Sequence, residues 1–342
     1  MVSSMPAVFL PGSRRVEVRE VEKPSPGPGQ VVVRTRASAI CGSDLRAIYR
    51  PVDQGVGPEA YRGVVAGHEP CGEVESIGPG VVDYAVGDRV VVYHIAGCGL
   101  CTDCRDGWMI SCSSPERAAY GWQRDGGHAP YLLAEVRTLV RLPEPLTFLD
   151  GAMVACGLGT AYAACRRVQV SGRDRVLVTG LGPVGIGAAM LARALGAEVL
   201  GVDGISERRE LASRLGFEVA DPSEDLRARS GGPGFEVAIE CSGNPEARVA
   251  AVRSARQWGR VAFVGEGNTV SLDVSPLIIH PQLTMVGSWV CSITQMEELV
   301  ELLVRWDLHP EAMVTDTFAL DEARAAYELA DEGRAGKVVI LP

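Results

Sequence analysis

The chain has 342 residues, too long for one ordinary hydrophobic core, so about two domains are expected. Apolar residues make up 46% and charged residues 22%, which excludes the disordered class. Acidic residues (43) outnumber basic ones (33) for a formal charge of −10, which argues against nucleic acid or any other polyanionic partner.

The N-terminal MVSSMPAVFLPGSRR has no basic n-region and breaks its apolar run at Pro11, so it does not read as a secretory signal. A cytoplasmic protein with reduced thiols is expected. Residues 1–150 carry short β-branched runs punctuated by Gly and Pro (VVVRTRAS, GEVESIG, GDRVVVYH, YLLAEVRTLVRL), the rhythm of an all-β barrel or sandwich. The segment Pro24 to Gln30, PSPGPGQ, is a turn between two strands. From about Gly157 the pattern changes to strands alternating with amphipathic helices. RVLVTG, VGIGAAMLARALG, EVLGVD, ERRELASRLG, FEVAIECSG, the helical ARVAAVRSARQWG and RVAFVGEG imply βαβ units and a parallel sheet. The longest charge-free run, between Arg175 and Arg193, is rich in Gly and falls short of the ~20 residues of a bilayer span, so no membrane partner is expected. The tail from about Val290 holds the helical stretches MEELVELLVRW and DEARAAYELADEG and a strand, KVVILP; periodicity does not decide which domain it joins.

Cys98, Cys101, Cys104 and Cys112 are spaced C-x2-C-x2-C-x7-C in a Gly-containing loop. Four clustered thiolates satisfy a closed, tetrahedral structural Zn²⁺ and leave no position for substrate. The iron-sulfur spacing ending in C-x3-C-P is not present. Gly180, Gly182 and Gly185 form a G-x-G-x-x-G turn that follows a strand, opens a helix and precedes Asp203 at the end of VLGVD. Gly180 permits the tight turn, Gly182 the approach of a pyrophosphate, and Gly185 close helix-strand packing. Asp203 would hold an adenosine ribose and repel a 2′-phosphate, favouring NAD over NADP, a preference that Arg208 and Arg209 soften. Cys41 in CGSDL, His68 and Glu69 in GHE, and Cys156 in VACGLGT share no short metal spacing. Singly, each reads as readily as an ordinary core residue, such as a buried thiol or a core imidazole, as a functional one. Cys71, Cys165, Cys241 and Cys291 read as small core hydrophobes, and His280 and His309 show no partner pattern.

Taken together, CGSD at 41–44, GHE at 67–69, GDRV at 87–90, the four-cysteine lobe, GLGPVG at 180–185 and the terminal GKVVI resemble the zinc-dependent medium-chain dehydrogenases, the alcohol, polyol and threonine dehydrogenase superfamily. The resemblance covers nearly the full length. It implies an α/β protein: a GroES-like β-rich catalytic domain with the structural-zinc lobe over 1–157, a Rossmann NAD-binding domain over 158–289, a C-terminal segment over 290–342 returning to the first domain, and an active site between the domains. It implies Cys41, His68 and Cys156 as ligands of a catalytic zinc, Glu69 as a carboxylate able to approach that metal, and Asp44 as the group orienting the ligand imidazole. Two zinc ions per chain follow.

Ser43 is placed by the resemblance to take the hydroxyl proton of an alcohol and pass it to the nicotinamide ribose. Arg46 stands where a His commonly ends that relay. Thr160 and Val184 match positions beside the nicotinamide, within a cofactor set that includes Pro183 and Arg208. His94, His128 and Trp289 align with substrate-lining positions, and Glu266 lies near the expected nicotinamide site. Polar groups there favour a polyol, sugar or cyclitol over simple or threonine-like alcohols. The implied activity is hydride transfer from a secondary alcohol to NAD, giving a ketone, by a homo-oligomer of the homotetrameric kind. The reading of another class is a non-catalytic, zinc-stabilised binding protein on the same fold.

Overall fold

The computed structural model describes residues 4–50 and 60–342. The chain divides into two compact units, Met1–Cys156 with Cys291–Pro342, and Gly157–Val290.

In the first unit the β-branched runs form a seven-stranded sheet. Its order is Val314–Ala319, Lys337–Leu341, Gln30–Ala39, Glu69–Ile77, Arg89–Val92 and Leu139–Arg141, with Tyr131–Glu135 also pairing Gln30–Ala39. A hairpin, Ser4–Gly12 with Arg15–Glu22, and a short pair, Ile95–Ala96 with Ala118–Ala119, complete the strands. The run YLLAEVRTLVRL is two strands, broken by a 3-10 turn at Val136–Thr138. The tail belongs here: Lys337–Leu341 lies antiparallel to Gln30–Ala39, with Val339 opposite Ala39, and Ile340 packs in one core with Val8, Ile48, Trp122 and Tyr327.

The second unit is a six-stranded parallel sheet in the order Glu218–Ala220, Glu198–Val202, Arg175–Thr179, Phe235–Glu240, Ala255–Phe263, Thr284–Gly287. Counted along the chain this is 3-2-1-4-5-6, the dinucleotide-binding order, with its switch point between the first and fourth strands. One expectation differs. The helix Pro245–Ser254 stops before ARQWG, which opens the next strand instead. Ala255 pairs with Phe235 and Arg260 with Val237, so residues 256–259 form a bulge in which Trp258 takes a φ of +63°. Ladder hydrogen bonds on both sides of the bulge override the helical periodicity.

One helical stretch among the described residues, Phe148–Arg167, is apolar and long enough to cross a bilayer, but 78% of its apolar 18-residue window is buried inside the protein. Its first turn is fixed by an N-cap box: Thr147 Oγ1 accepts from the Asp150 N–H at 3.0 Å, and Asp150 accepts from the Thr147 N–H at 3.0 Å. The wholly buried Asp150 carboxylate also accepts from the Glu311 N–H at 2.9 Å and from His309 Nδ1 at 2.8 Å, tying this helix to the returning tail. His309 therefore has a partner that no spacing announced.

Hydrogen bonding to Asp150, reinforced by its charge and opposed by desolvation, raises the pKa of His309. A raised folded-state pKa contributes stability that is fully present below the unfolded value of about 6.5 and is lost as pH rises through the folded value. His309→Gln is therefore expected to lower the melting temperature most below pH ~6.5, with the gap to wild type closing on the alkaline side. Melting curves from mildly acidic to mildly alkaline pH check this; a gap independent of pH contradicts it.

Candidate active site

Cys41, His68, Glu69 and Cys156 converge in the first unit, with one ligand atom from each lying within 4.8 Å of the others. Strand register does most of this. Ala39 pairs with Glu69 at the end of the Gln30–Ala39 and Glu69–Ile77 ladder, so Cys41, just past one strand, meets His68, just before the other. Cys156 arrives on the turn Val154–Leu158 that continues the helix Phe148–Met153. That helix lies flush on the sheet because Gly151 has no side chain: a Cβ there would fall 2.2 Å from Cys71 Sγ. His94 Nδ1 donates to the Ala155 carbonyl at 2.9 Å and pins the turn.

His68 is buried, and its Nδ1 donates to Asp44 Oδ1 at 2.7 Å, which leaves Nε2 as the ligand atom. Burial pushes the His68 pKa down, but the Asp44 carboxylate and the Cys41 thiolate outweigh it and raise it. A hydrogen bond from Cys156 and the neighbouring His68 hold the Cys41 thiol well below its usual range against burial. Cys156 is pushed up in turn, first by Cys41 and then by burial. Two sulfurs and one imidazole nitrogen at this separation suit a tetrahedral Zn²⁺, with Zn–S of about 2.3 Å and Zn–N of about 2.0 Å. Ser43 Oγ stands 3.5 Å from His68 Nε2, beside the same point.

Glu69 is wholly buried and forms an ion pair with Lys337, itself 3% exposed, at the start of the last strand. Burial pushes the Glu69 carboxyl up to about 8 against the pull of the ammonium, and the Glu69 charge raises the Lys337 pKa despite burial. Sequence reasoning missed Lys337, although it lies in the terminal GKVVI run; a lysine before an apolar strand otherwise reads as a solvated end.

The second cluster is Cys98, Cys101, Cys104 and Cys112, whose sulfurs also lie within 4.8 Å of one another. Cys98 Sγ accepts the N–H groups of Leu100 and Cys101, each at 3.4 Å, and these bonds lower its pKa to about 6. A preformed thiolate among four sulfurs fits a closed metal site.

In the second unit, Gly180 has a φ of +88°, and a Cβ on Gly185 would fall 1.7 Å from the Gly180 carbonyl oxygen, so both are demanded by the chain's own packing. Gly182, the N-cap of the helix Pro183–Ala194, is not: a Cβ there would meet only Arg208, at 3.9 Å. What it keeps open is the space before the helix N-terminus, where a pyrophosphate fits. Asp203 accepts from the Leu181 N–H at 2.7 Å and the Ile205 N–H at 2.9 Å, and Arg208 Nη1 stands 3.3 Å from it. Arg209 donates to the Asp203 carbonyl at 2.6 Å and pairs with Asp221. Val184 is half-buried in that helix, and Thr160 half-buried in the helix Gly159–Arg167.

The remaining candidates are scattered. His94 is buried with its ring 5.4 Å from that of His68, and burial lowers its pKa to about 4. His128 is wholly buried beside Gly67, with its ring edge-on to Tyr327, and neither nitrogen has a partner among the described residues. Trp289, 48% exposed, and Glu266, also exposed, belong to the second unit, and Arg46 is exposed in the first.

Residues 27–144 match the family described as "Alcohol dehydrogenase GroES-like domain", and residues 183–305 match "Zinc-binding dehydrogenase". An uncharacterized zinc-type alcohol dehydrogenase-like protein of Escherichia coli K12 is 44% identical over 349 aligned residues, covering 99% of each chain. The chain belongs to the zinc-dependent medium-chain dehydrogenase superfamily. A sorbitol dehydrogenase of Halalkalibacterium halodurans is 30% identical to this dehydrogenase over 97% of each chain. A short chain alcohol dehydrogenase from Escherichia coli CFT073, solved with NADH, superposes with a TM-score of 0.88 at 25% identity, covering 99% of this chain and 100% of that one.

The dehydrogenase is thus an oxidoreductase acting on CH–OH groups of a small molecule. Its Glu69–Lys337 pair generates a stability prediction. Lys337→Met removes the counter-charge that faces the buried Glu69 carboxyl and is expected to destabilise the fold by up to about 3–5 kcal/mol, part of it recovered when Glu69→Gln is added. Urea denaturation of the single and double variants checks this; a single variant within about 1 kcal/mol of wild type contradicts it.

Proposed function

We propose that this dehydrogenase oxidises a secondary carbinol of a polyol, sugar or cyclitol to a ketone, with NAD as hydride acceptor. In this reading one zinc ion is held by Cys41, His68 and Cys156, and a second, structural one by Cys98, Cys101, Cys104 and Cys112. When bound, zinc supplies the Lewis acidity that lets an alcohol lose its proton near neutral pH, and nicotinamide supplies the hydride acceptor. The protein's own residues do the rest. Asp44 fixes the His68 ring so that Nε2 faces the site. Ser43 Oγ stands where it can take the hydroxyl proton and pass it on. Arg46, exposed and cationic, cannot serve as the base that ends the relay.

The substrate class rests on His94. Because Nδ1 donates to the Ala155 carbonyl, Nε2 carries the lone pair, and a pKa of about 4 keeps the ring neutral. With the His94 ring 5.4 Å from that of His68, this acceptor would be satisfied by a hydroxyl next to the reacting carbon, which a simple alcohol lacks. The likeness to a sorbitol dehydrogenase supports the same class. His128, enclosed behind Gly67, does not carry this argument. NAD is favoured because the Asp203 carboxylate disfavours a 2′-phosphate, while its pairing with Arg208 moderates the effect. A homo-oligomer is supported by the outer edge of Thr284–Gly287, which pairs with no strand among the described residues, and by the exposed Trp258, Val274 and Ile279 in the same unit; a monomer by light scattering would refute it.

The test is NADH or NADPH formation across sorbitol, inositol, threonine, 2-propanol and ethanol. NAD is expected to exceed NADP in kcat/KM, and polyols to exceed 2-propanol. His94→Phe should shift the polyol-to-propanol ratio toward propanol about fivefold, the worth of one hydrogen bond of about 1 kcal/mol. A wild-type preference for 2-propanol, or an unchanged ratio in the variant, overturns the substrate class; equal use of NADP overturns the role of Asp203.

A further inference from the structure

We propose that Trp122 is a positioning residue of the metal centre, its indole N–H holding the Asp44 carboxylate against His68 and so setting how tightly Cys41, His68 and Cys156 grip their metal. The proposal rests on the zinc reading of that cluster. Asp44 is 1% exposed, and among the described residues its carboxylate has three hydrogen-bond partners. Oδ2 accepts from the Cys41 N–H at 3.1 Å, and Oδ1 accepts both from His68 Nδ1 at 2.7 Å and from Trp122 Nε1 at 3.2 Å. Two of these partners are metal-ligand residues. The third is the indole, whose ring stands at 81° to the His68 ring with centroids 6.4 Å apart. A buried carboxylate bonded by two donors on one oxygen cannot turn without leaving a donor unpaired, at a cost of about 1–3 kcal/mol.

The loop that carries Trp122 is built to bring it there. A Cβ on Gly121, whose φ is +76°, would fall 2.8 Å from the Gly67 carbonyl carbon, and one on Gly126 would fall 2.3 Å from the Gly67 oxygen. The Gly126 and Gly127 N–H groups donate to the carbonyls of Val65 and Gly67, at 2.8 and 2.7 Å. The loop is therefore sewn to the segment that ends in His68, and the indole and the ligand imidazole share one rigid frame.

Trp122→Phe keeps an aromatic face against His68 and removes only the donor. Zinc-loaded protein is challenged with excess pyridylazoresorcinol, and zinc release is followed by absorbance. The phase belonging to the Cys41 centre is the one absent from Cys156→Ser. Loss of an outer partner of a metal ligand typically costs 10- to 100-fold in affinity, so a donor one bond further out is expected to speed that phase about 3- to 10-fold. The four-cysteine phase should not change. In an Asp44→Ala background Trp122→Phe should add nothing, because the residue acts through Asp44.

Unchanged release in Trp122→Phe, or equal acceleration with and without Asp44, overturns the proposal. If wild type shows no phase that Cys156→Ser removes, the metal reading itself falls and the proposal with it. A readout that leaves residue 122 intact is the indole ¹⁵N–¹H resonance of Trp122, which should move on Asp44→Ala; an unmoved resonance contradicts the bond even if Trp122→Phe does not fold.

Discussion

The pairing of Ala39 with Glu69 is the constraint on which the candidate metal centre depends. It sets Cys41 beside His68 although 26 residues separate them in sequence, and Glu69 meets Lys337 from the strand on the other side of Gln30–Ala39, which is itself registered by Val339 opposite Ala39. Side chains alternate faces along a strand, so a slip of one residue would turn Glu69 to the other face, carry His68 out of step with Cys41 and dissolve the set. Three adjacent strands therefore act as one template, and the returning tail is as much a part of the site as the two cysteines.

Burial then decides the electrostatics. Glu69, Asp44 and His68 are nearly inaccessible, and in such surroundings every charge needs a partner. Lys337 answers Glu69, and Asp44 is held by a backbone N–H, an imidazole and an indole. The sulfurs of Cys41 and Cys156 face one another within this network, a pair that a dication is suited to balance. The same logic at lower burial governs the four-cysteine lobe, where backbone N–H groups ready Cys98 as a thiolate.

Legibility in the sequence followed distance along the chain. The cysteine lobe and the glycine turn are local patterns, so their spacing alone points to their chemistry. Cys41, His68 and Cys156 are joined by register and by a helix packed through Gly151, neither of which spacing encodes, and only the resemblance to a family grouped them. Lys337 and Trp122 stayed hidden for the same reason: each becomes informative only when a strand or a glycine-lined loop brings it to a buried carboxylate. The tail could not be assigned by periodicity because its last strand could have extended either sheet; pairing with Gln30–Ala39 decided it. The helix expected through ARQWG failed where a bulged ladder offered the backbone better partners than another helical turn.

The central claim is that the Cys41, His68 and Cys156 set holds a zinc ion distinct from that of the four-cysteine lobe. Elemental analysis of folded protein purified without added metal tests it most directly, comparing wild type with Cys156→Ser. The account predicts about two zinc ions per chain in wild type and about one in the variant, with the lobe still filled. Equal zinc content in the two proteins would contradict it.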